Sequence, residues 1–157
     1  MRSIFFYQTD IGEIRIAENG TAITNLYFQE ENIAEDFVVQ ETNLLKEAAE
    51  QLRSYLAGKR KKFALPIAPN STEFMLSVWE ALRTIPYGET RSYGEIAQSV
   101  GKPKASRAVG LANNKNPIPI FIPCHRVIGA NGKLVGYLGG LQIKEYLLEL
   151  ERLYGNF

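Results

Sequence analysis

Hydrophobic and strand-forming residues are concentrated in three short segments near the amino terminus, and polar turn residues separate them. The segments cover residues 2–8, 13–18 and 21–28 and are rich in Ile, Phe, Tyr and Thr. The turns between them are Asp10-Ile11-Gly12 and Asn19-Gly20, and Asn-Gly between two such segments is a strong hairpin signal. The pattern therefore predicts a small antiparallel meander.

The spacing of apolar residues then changes to that of an α-helix. Thr42 can cap a helix that runs to about Ala57, and Gly58 then ends it. One face of this helix is apolar and consists of Leu44, Leu45, Ala48, Leu52, Tyr55 and Leu56. The basic residues 59–62 follow, and we interpret them as a solvated connector, because runs of like charge usually belong to exposed loops.

Proline and polar residues near position 70 predict a boundary between two lobes. A linker between two lobes typically contains such residues, here Pro66 and Pro69 followed by Asn70-Ser71. We therefore expect an amino-terminal α/β lobe over residues 1–70. Residues 71–157 would form a second lobe with its own core.

Helical spacing returns in four segments of the second lobe. The first begins at Thr72 and is ended by Pro86, and the second begins with a Ser92–Glu95 capping box and is ended by Gly101. The third runs from about Lys104 to Ala112, and the fourth from about Gln142 to Tyr154. The middle two are joined by a tight turn that contains glycine, which indicates a helix-turn-helix. The predicted fold class is α+β, a small antiparallel-sheet and helix lobe followed by a mainly helical lobe.

The only cysteine and the only histidine of this 157-residue chain are neighbours, Cys124 and His125. A lone cysteine is more often a small buried hydrophobe than a reagent. However, the apolar residues 118–123 contain two prolines, so they predict a stiff, buried segment that would fix the position of the thiol. A thiolate is a strong nucleophile, and a nearby imidazole or cation favours its formation. Cys124 is therefore the candidate nucleophile.

Adjacency alone does not make a catalytic pair of these two residues. Successive side chains on an extended segment point to opposite faces, so a direct hydrogen bond between Cys124 and His125 requires a turn of the backbone. A bridging water or a local helical turn would also connect them.

Composition narrows the possible functions. No run of about 18 apolar residues occurs, so no membrane span is predicted. One cysteine excludes an internal disulfide, which fits a cytoplasmic protein, and a single cysteine and histidine are too few for structural zinc. We expect neither a metal nor a cofactor. Residues 1–70 carry a net charge of −2, and residues 83–133 carry a net charge of +6. The positive segment suits binding to a phosphate backbone, and it is equally well explained as a solvated surface.

Five ordered motifs in the second lobe carry a more specific signal. They are IPYGETRSY at residues 85–93, KASRAVG at 104–110, NPIPIFIPCHRV at 116–127, GY and GGL within 136–141, and KE at 144–145. Together they resemble the O6-alkylguanine-DNA alkyltransferases, also called methylated-DNA–protein-cysteine S-methyltransferases. The amino-terminal lobe resembles that family only in style, as its variable mixed β/α lobe.

The resemblance implies direct reversal of DNA damage. The alkyl group of O6-alkylguanine, and also of O4-alkylthymine, would be transferred irreversibly to Cys124 after the nucleotide has been flipped out of double-stranded DNA. Each molecule would act once, as a suicide reagent. The family acts as a monomer and places its recognition helix in the minor groove, so sequence specificity should be low.

The resemblance also implies catalytic roles. Cys124 would be the nucleophile, and His125 would take its proton through a bridging water. Glu145 would accept the other ring N–H and fix the tautomer. Asn116 would hydrogen-bond backbone and water and so orient the same proton transfer. Tyr93 would donate a hydrogen bond to the departing guanine.

Further residues would contact the DNA and the flipped base. Arg107 would enter the duplex and fill the vacated space. The remaining DNA contacts would come from Ser92, Ala105, Ser106, Ala108 and Gly110. The substrate pocket would be formed by Tyr137, Val127, Leu138 and Gly139. Leu138 departs from the family, which usually has a smaller residue there, and the chain also lacks the zinc ligands found in some relatives' amino-terminal lobes.

Three other functions compete with this interpretation. A non-catalytic protein that recognises alkylation damage would have another residue in place of Cys124. A thiol hydrolase would bring its histidine from a distant segment and build an oxyanion hole. A helix-turn-helix regulator would need base-reading side chains, whereas the segment around Arg107 is rich in Ala, Val and Gly.

Overall fold

The computed structural model describes residues 2–33 and 35–155, and it confirms the α+β fold class. The chain divides into two compact units, Met1–Asn70 and Ser71–Phe157. Within the described residues, no helix is long and apolar enough to cross a membrane.

The first unit contains a four-stranded sheet. Its strands are β1 (Ser3–Thr9), β2 (Gly12–Glu18), β3 (Ile23–Phe28) and β4 (Val38–Val39), in the spatial order β3-β2-β1-β4. The first three pair antiparallel, which confirms the predicted meander. The edge strand β4 runs parallel to β1 and was not predicted, because two residues carry no periodicity.

Helix α1 (Asn43–Leu56) packs its apolar face within this unit, as its spacing predicts. The side chain of Thr42 accepts a hydrogen bond from the backbone N–H of Leu45 at 3.2 Å, so it is the N-cap. Gly58 has φ = 77°, a conformation that glycine adopts at little cost, and it ends the helix. The buried residues of α1 are Leu45, Ala48, Ala49, Gln51, Leu52, Tyr55 and Leu56.

The second unit is mainly helical. Its helices are α2 (Glu73–Arg83), α3 (Tyr93–Ser99), α4 (Ser106–Asn114) and α5 (Leu141–Tyr154), and a 3₁₀ turn covers Cys124–Arg126. Two short parallel strands, β5 (Arg91–Ser92) and β6 (Val127–Ile128), join the start of α3 to the end of that turn. This pairing places the residues after Cys124 beside the helix-turn-helix.

Helices α3 and α4 with the turn between them form the predicted helix-turn-helix. Ser92 and Glu95 make both hydrogen bonds of a capping box at the start of α3. Helix α4 begins at Ser106, two residues later than predicted, because the segment before it forms a separate turn in which the N–H of Ala105 donates to the carbonyl of Lys102 at 2.9 Å. Pro103 disfavours helical geometry at Lys102.

Helix α5 differs from the prediction in the face that it buries. The spacing of Ile143, Leu147, Leu150 and Tyr154 in the sequence predicts that these residues form its buried apolar stripe. The buried residues are instead Lys144, Leu147, Leu150 and Glu151, whereas Ile143 and Tyr154 are half-buried. Two charged side chains therefore lie on the inner face of this helix.

Candidate active site

Cys124 begins a 3₁₀ turn that follows a buried, proline-containing lead-in, residues 118–123. The side chain of Cys124 is almost entirely buried, at 4% exposed. Within the lead-in, Ile120 has φ = 74°, which is unfavourable for a β-branched residue and persists only where surrounding contacts impose it. The position of the thiol is therefore set by a segment with little freedom.

Asn116 holds the two ends of the lead-in together. Its side-chain amide donates to the carbonyl of Ile122 at 2.9 Å, and its Oδ1 accepts from the N–H of Ile118 at 2.9 Å. It also lowers the pKa of the Cys124 thiol, so its side chain lies near the sulfur. Asn116 is 1% exposed, so it is a buried clamp directly beside the nucleophile.

The thiol of Cys124 is protonated at neutral pH. Burial raises its pKa to about 11, although the side chain of Asn116 and the positive charge of Lys144 both lower it. The thiolate must therefore be generated during the reaction. The groups around the sulfur determine the free-energy cost of removing its proton.

Lys144 belongs to the KE motif, but the sequence analysis assigned it no role. Its ammonium is fully buried and donates to the carbonyls of Val127 at 2.6 Å, Val135 at 3.0 Å and Gly136 at 3.5 Å. Burial lowers the pKa of Lys144, and the nearby Cys124 raises it. The sequence signal was its spacing, since Lys144 lies three residues before Leu147 and seven before Glu151, on one helical face.

The carboxylate beside His125 is Glu151 and not Glu145, so that prediction was wrong. His125 Nε2 lies 2.7 Å from Glu151 Oε2, and both side chains are buried. Glu145 is exposed. Six residues separate the two glutamates, and six residues turn a helix to a different face, so only one of them can point inward.

Arg126 and Gly88 also donate hydrogen bonds to Glu151. Arg126 donates from Nε to Oε1 at 2.8 Å and from Nη2 to Oε2 at 3.0 Å, and its Nη1 donates to the carbonyl of Ile85 at 2.7 Å. The N–H of Gly88 donates to Oε1 at 3.0 Å. His125, Glu151 and Arg126 form what we call the buried relay.

The relay keeps Glu151 ionised and His125 neutral. Burial would raise the pKa of Glu151, but the hydrogen bonds from His125 and Arg126 and the charge of Arg126 hold it far below its ordinary value. Burial lowers the pKa of His125, and the opposing effect of Glu151 is weaker. A neutral imidazole that donates from Nε2 has Nδ1 as its basic nitrogen.

Tyr93 connects the start of α3 with the loop of residues 135–139. Its hydroxyl donates to the carbonyl of Val135 at 3.1 Å, and Lys144 bonds the same carbonyl. Burial and the proximity of Cys124 raise the pKa of Tyr93, so the phenol is a proton-bearing donor near the thiol. The ring packs on Gly110 of α4, where an added Cβ would lie 3.8 Å from it.

The residues predicted to contact DNA lie on the helix-turn-helix. Arg107 and Ala108 are exposed near the start of α4, whereas Ala105 and Ser106 are half-buried. Ser92 is the N-cap of α3, and its hydroxyl accepts from the N–H of Glu95 at 3.1 Å. Arg107 makes no hydrogen bond or ion pair with the residues that the structure describes, so its guanidinium is available to a ligand.

The predicted pocket residues lie around the 135–139 loop and β6. Val127 is buried, Tyr137 and Gly139 are half-buried, and Leu138 is 49% exposed. Lys144 ties β6 to this loop through the carbonyls of Val127 and Val135. The loop is therefore fixed at one end to the segment that carries the nucleophile.

Fold and site together define a protein with a buried nucleophilic thiol next to a helix-turn-helix. Residues 73–153 match the family model of the 6-O-methylguanine DNA methyltransferase DNA binding domain, and residues 5–69 match that of its ribonuclease-like domain. The chain therefore belongs to the methylated-DNA–protein-cysteine methyltransferase family.

Individual relatives agree with this assignment. The chain is 55% identical over 148 residues to a methylated-DNA–protein-cysteine methyltransferase of Methanosarcina acetivorans, covering 92% of this chain and 95% of the relative. It is 48% identical to the constitutive enzyme of Bacillus subtilis, covering 93% of each chain. The structure of Mycobacterium tuberculosis OGT in complex with DNA is similar, with a TM-score of 0.92, 46% identity, and coverage of 97% of this chain and 94% of that chain.

Proposed function

We propose that this protein repairs DNA by direct reversal, transferring the alkyl group of O6-alkylguanine to Cys124. The observation that carries the proposal is a buried thiol in the unit that also contains the helix-turn-helix, with the buried side chains of Asn116 and Lys144 both lowering the pKa of that thiol. Relatives of nearly the same length carry the methyltransferase name. The product is a thioether, so each molecule acts once. O4-alkylthymine is a second substrate of the same chemistry.

The thiol proton leaves through the relay. A water bridges the thiol to Nδ1 of His125, which accepts the proton while Glu151 stabilises the imidazolium. The sulfur then attacks the alkyl carbon, the bond from that carbon to O6 breaks, and its electron pair goes to the guanine. Lys144 stabilises the negative sulfur before the new bond forms.

The departing guanine gains a proton as the alkyl group is lost. Tyr93 would assist this step, and the support for this role is that its hydroxyl is a protonated donor near Cys124 that bonds the carbonyl of Val135. Its hydroxyl would then donate its hydrogen bond to the base in place of the Val135 carbonyl. The proton that the thiol loses equals the one that the product guanine finally carries, so no co-reactant is consumed.

DNA binds along the helix-turn-helix. The exposed start of α4 would lie in the minor groove, with Arg107 filling the space that the flipped nucleotide leaves. A monomer suffices for this, because one unit carries both the helix-turn-helix and the thiol. A non-catalytic recognition role is not favoured, since it would require neither Cys124 nor the relay.

The deciding experiment is the intact mass of the protein after mixing it in excess with a duplex that contains one O6-methylguanine. We expect a stoichiometric gain of one methylene on Cys124, located by peptide mapping. Cys124→Ala should gain nothing and still bind the duplex. Tight binding of the wild-type protein to the lesion without a mass gain would overturn the proposal in favour of damage recognition.

Arg107→Ala separates DNA engagement from chemistry. We expect a much larger loss of rate on the duplex than on free O6-benzylguanine, because the free base needs no flipping. Arg83→Ala, which removes an exposed arginine of α2, is the matched control and should change neither rate. Equal losses on both substrates would contradict the proposed role of Arg107.

A further inference from the structure

The carboxyl-terminal end of α4 is bonded directly to the nucleophile's residue. Asn113, the penultimate residue of α4, is 2% exposed, and its Nδ2 donates to the backbone carbonyl of Cys124 at 3.3 Å. The helix is itself anchored there, because Trp79 of α2 donates from its indole N–H to the carbonyl of Ala112 at 2.9 Å. A fixed helix end therefore holds the Cys124 backbone.

The carbonyl of Cys124 does not need this bond to be satisfied. It already accepts the N–H of Val127, which closes the 3₁₀ turn. At the same time, Oδ1 of Asn113 is buried and accepts no hydrogen bond from the residues that the structure describes. A buried acceptor without a partner reduces stability. Packing alone would thus favour an apolar side chain of the same size at this position.

We propose that Asn113 is a positioning residue for alkyl transfer. Its amide holds the Cys124 carbonyl and so fixes the direction in which the thiol is presented to the alkyl carbon. In-line displacement requires sulfur, carbon and the leaving oxygen to be nearly collinear, and small misplacements cost large factors in rate. This inference rests on the proposed function and adds a residue to it that acts through Cys124.

Two substitutions test the role. Asn113→Leu keeps the size of the side chain, removes the donor and also removes the unpartnered acceptor. Asn113→Asp keeps the shape, removes the donor and places a carboxylate near the thiol. Asn43→Leu is the matched control, because it makes the same substitution at an exposed position of α1.

The measurements are the single-turnover rate constant, the reaction amplitude and the melting temperature. For Asn113→Leu we expect the rate constant to fall about tenfold or more. The factor should be the same on free O6-benzylguanine and on the duplex. The amplitude should stay stoichiometric and the melting temperature should not fall. For Asn113→Asp the pH–rate profile should also move to higher pH, because a negative charge disfavours the thiolate.

Other outcomes overturn the inference. A lower melting temperature or amplitude with an unchanged rate constant would mean that Asn113 only supports the fold. A loss confined to the duplex would mean a DNA contact. If wild-type protein gains no alkyl group, the proposed function fails instead, so the two failures are distinguishable. If Asn113→Leu does not fold, Asn113→Met, which also removes the donor and the acceptor without adding a charge, is measured in the same way and decides.

Discussion

Helices α1 and α5 have the same length, 14 residues, and yet bury very different faces. The inner face of α1 is apolar apart from Gln51, and its role is to cover the sheet. The inner face of α5 carries Lys144 and Glu151, both fully buried, among leucines. Burying a charge costs several kcal/mol unless it is paired and hydrogen-bonded.

The structure compensates that cost differently for the two charges of α5. Lys144 donates to three carbonyls, and Glu151 accepts from Arg126, His125 and Gly88. Each set includes partners from the three residues that follow Cys124, which are Val127 for Lys144, and His125 and Arg126 for Glu151. Helix α1 therefore serves packing, whereas α5 buries two charges near the nucleophile in place of apolar side chains.

The largest expected effect comes from Glu151→Gln. The change leaves the Arg126 guanidinium buried without its counter-charge, which typically costs about 3–5 kcal/mol of stability. The loss of a general base oriented by its carboxylate should also lower the rate of alkyl transfer by about 10²–10⁴-fold. Single-turnover kinetics, normalised to the active fraction, and denaturant unfolding measure the two effects.

Glu145→Gln is the matched control on the same helix, because it makes the same substitution at an exposed position. Rate and stability should both stay unchanged. A loss of rate in Glu145→Gln with none in Glu151→Gln would restore the prediction made from sequence and contradict the relay described here.

Lys144→Met is expected to have the next largest effect. Removing the ammonium raises the pKa of Cys124 further, so at fixed pH less thiolate forms, by about tenfold per unit of pKa. The logarithm of the rate should rise with pH in both proteins, with the variant displaced in parallel to higher pH. Lys133→Met, at an exposed position, is the control. An unshifted profile would show that the charge of Lys144 does not act on the thiol.

The difference between the two helices also marks where sequence reasoning succeeds. The strands of the meander, the Thr42 cap and the capping box at Ser92 depend on neighbours in sequence, so local patterns predicted them. The face of α5 could not be predicted in the same way. Charged residues usually lie outside, and Glu151 is buried only because Arg126, distant in sequence, neutralises it. Glu145 was assigned from the resemblance to the family, through the KE motif at residues 144–145, and not from the pattern of the helix.

The nucleophile itself was found because its signal is compositional. Cys124 and His125 are the only residues of their kinds, and the resemblance to the family placed Asn116 and Tyr93 beside them. Asn113 was not singled out, and Lys144 was quoted in the KE motif without a role, because the type of such a residue does not show what it contacts. Their roles follow from the carbonyls that they contact, and a carbonyl's position is a property of the tertiary fold.

Acid should weaken the second unit in two steps. The pKa of His125 is lowered on folding and so is that of Glu151, so in both cases the unfolded state binds more protons as the pH falls. Stability should decline below about pH 6.5 through His125, and more steeply below about pH 4.3 through Glu151. Fluorescence of Trp79, the only tryptophan, reports this unit. In Glu151→Gln the steeper branch should be reduced, and an identical slope would contradict the assignment.

The smallest effect is expected from the one polar residue that α1 buries. Gln51 accepts from the N–H of Ala64 at 2.9 Å and donates to its carbonyl at 3.2 Å. Ala64 is exposed, so water can replace these bonds in Gln51→Leu, and we expect a loss of about 1 kcal/mol in the free energy of unfolding. Circular dichroism in denaturant measures it. The rate per active molecule should not change, because Gln51 serves only packing. A change in that rate, with the active fraction held equal, would mean that α1 also influences the thiol and would remove the contrast between the two helices.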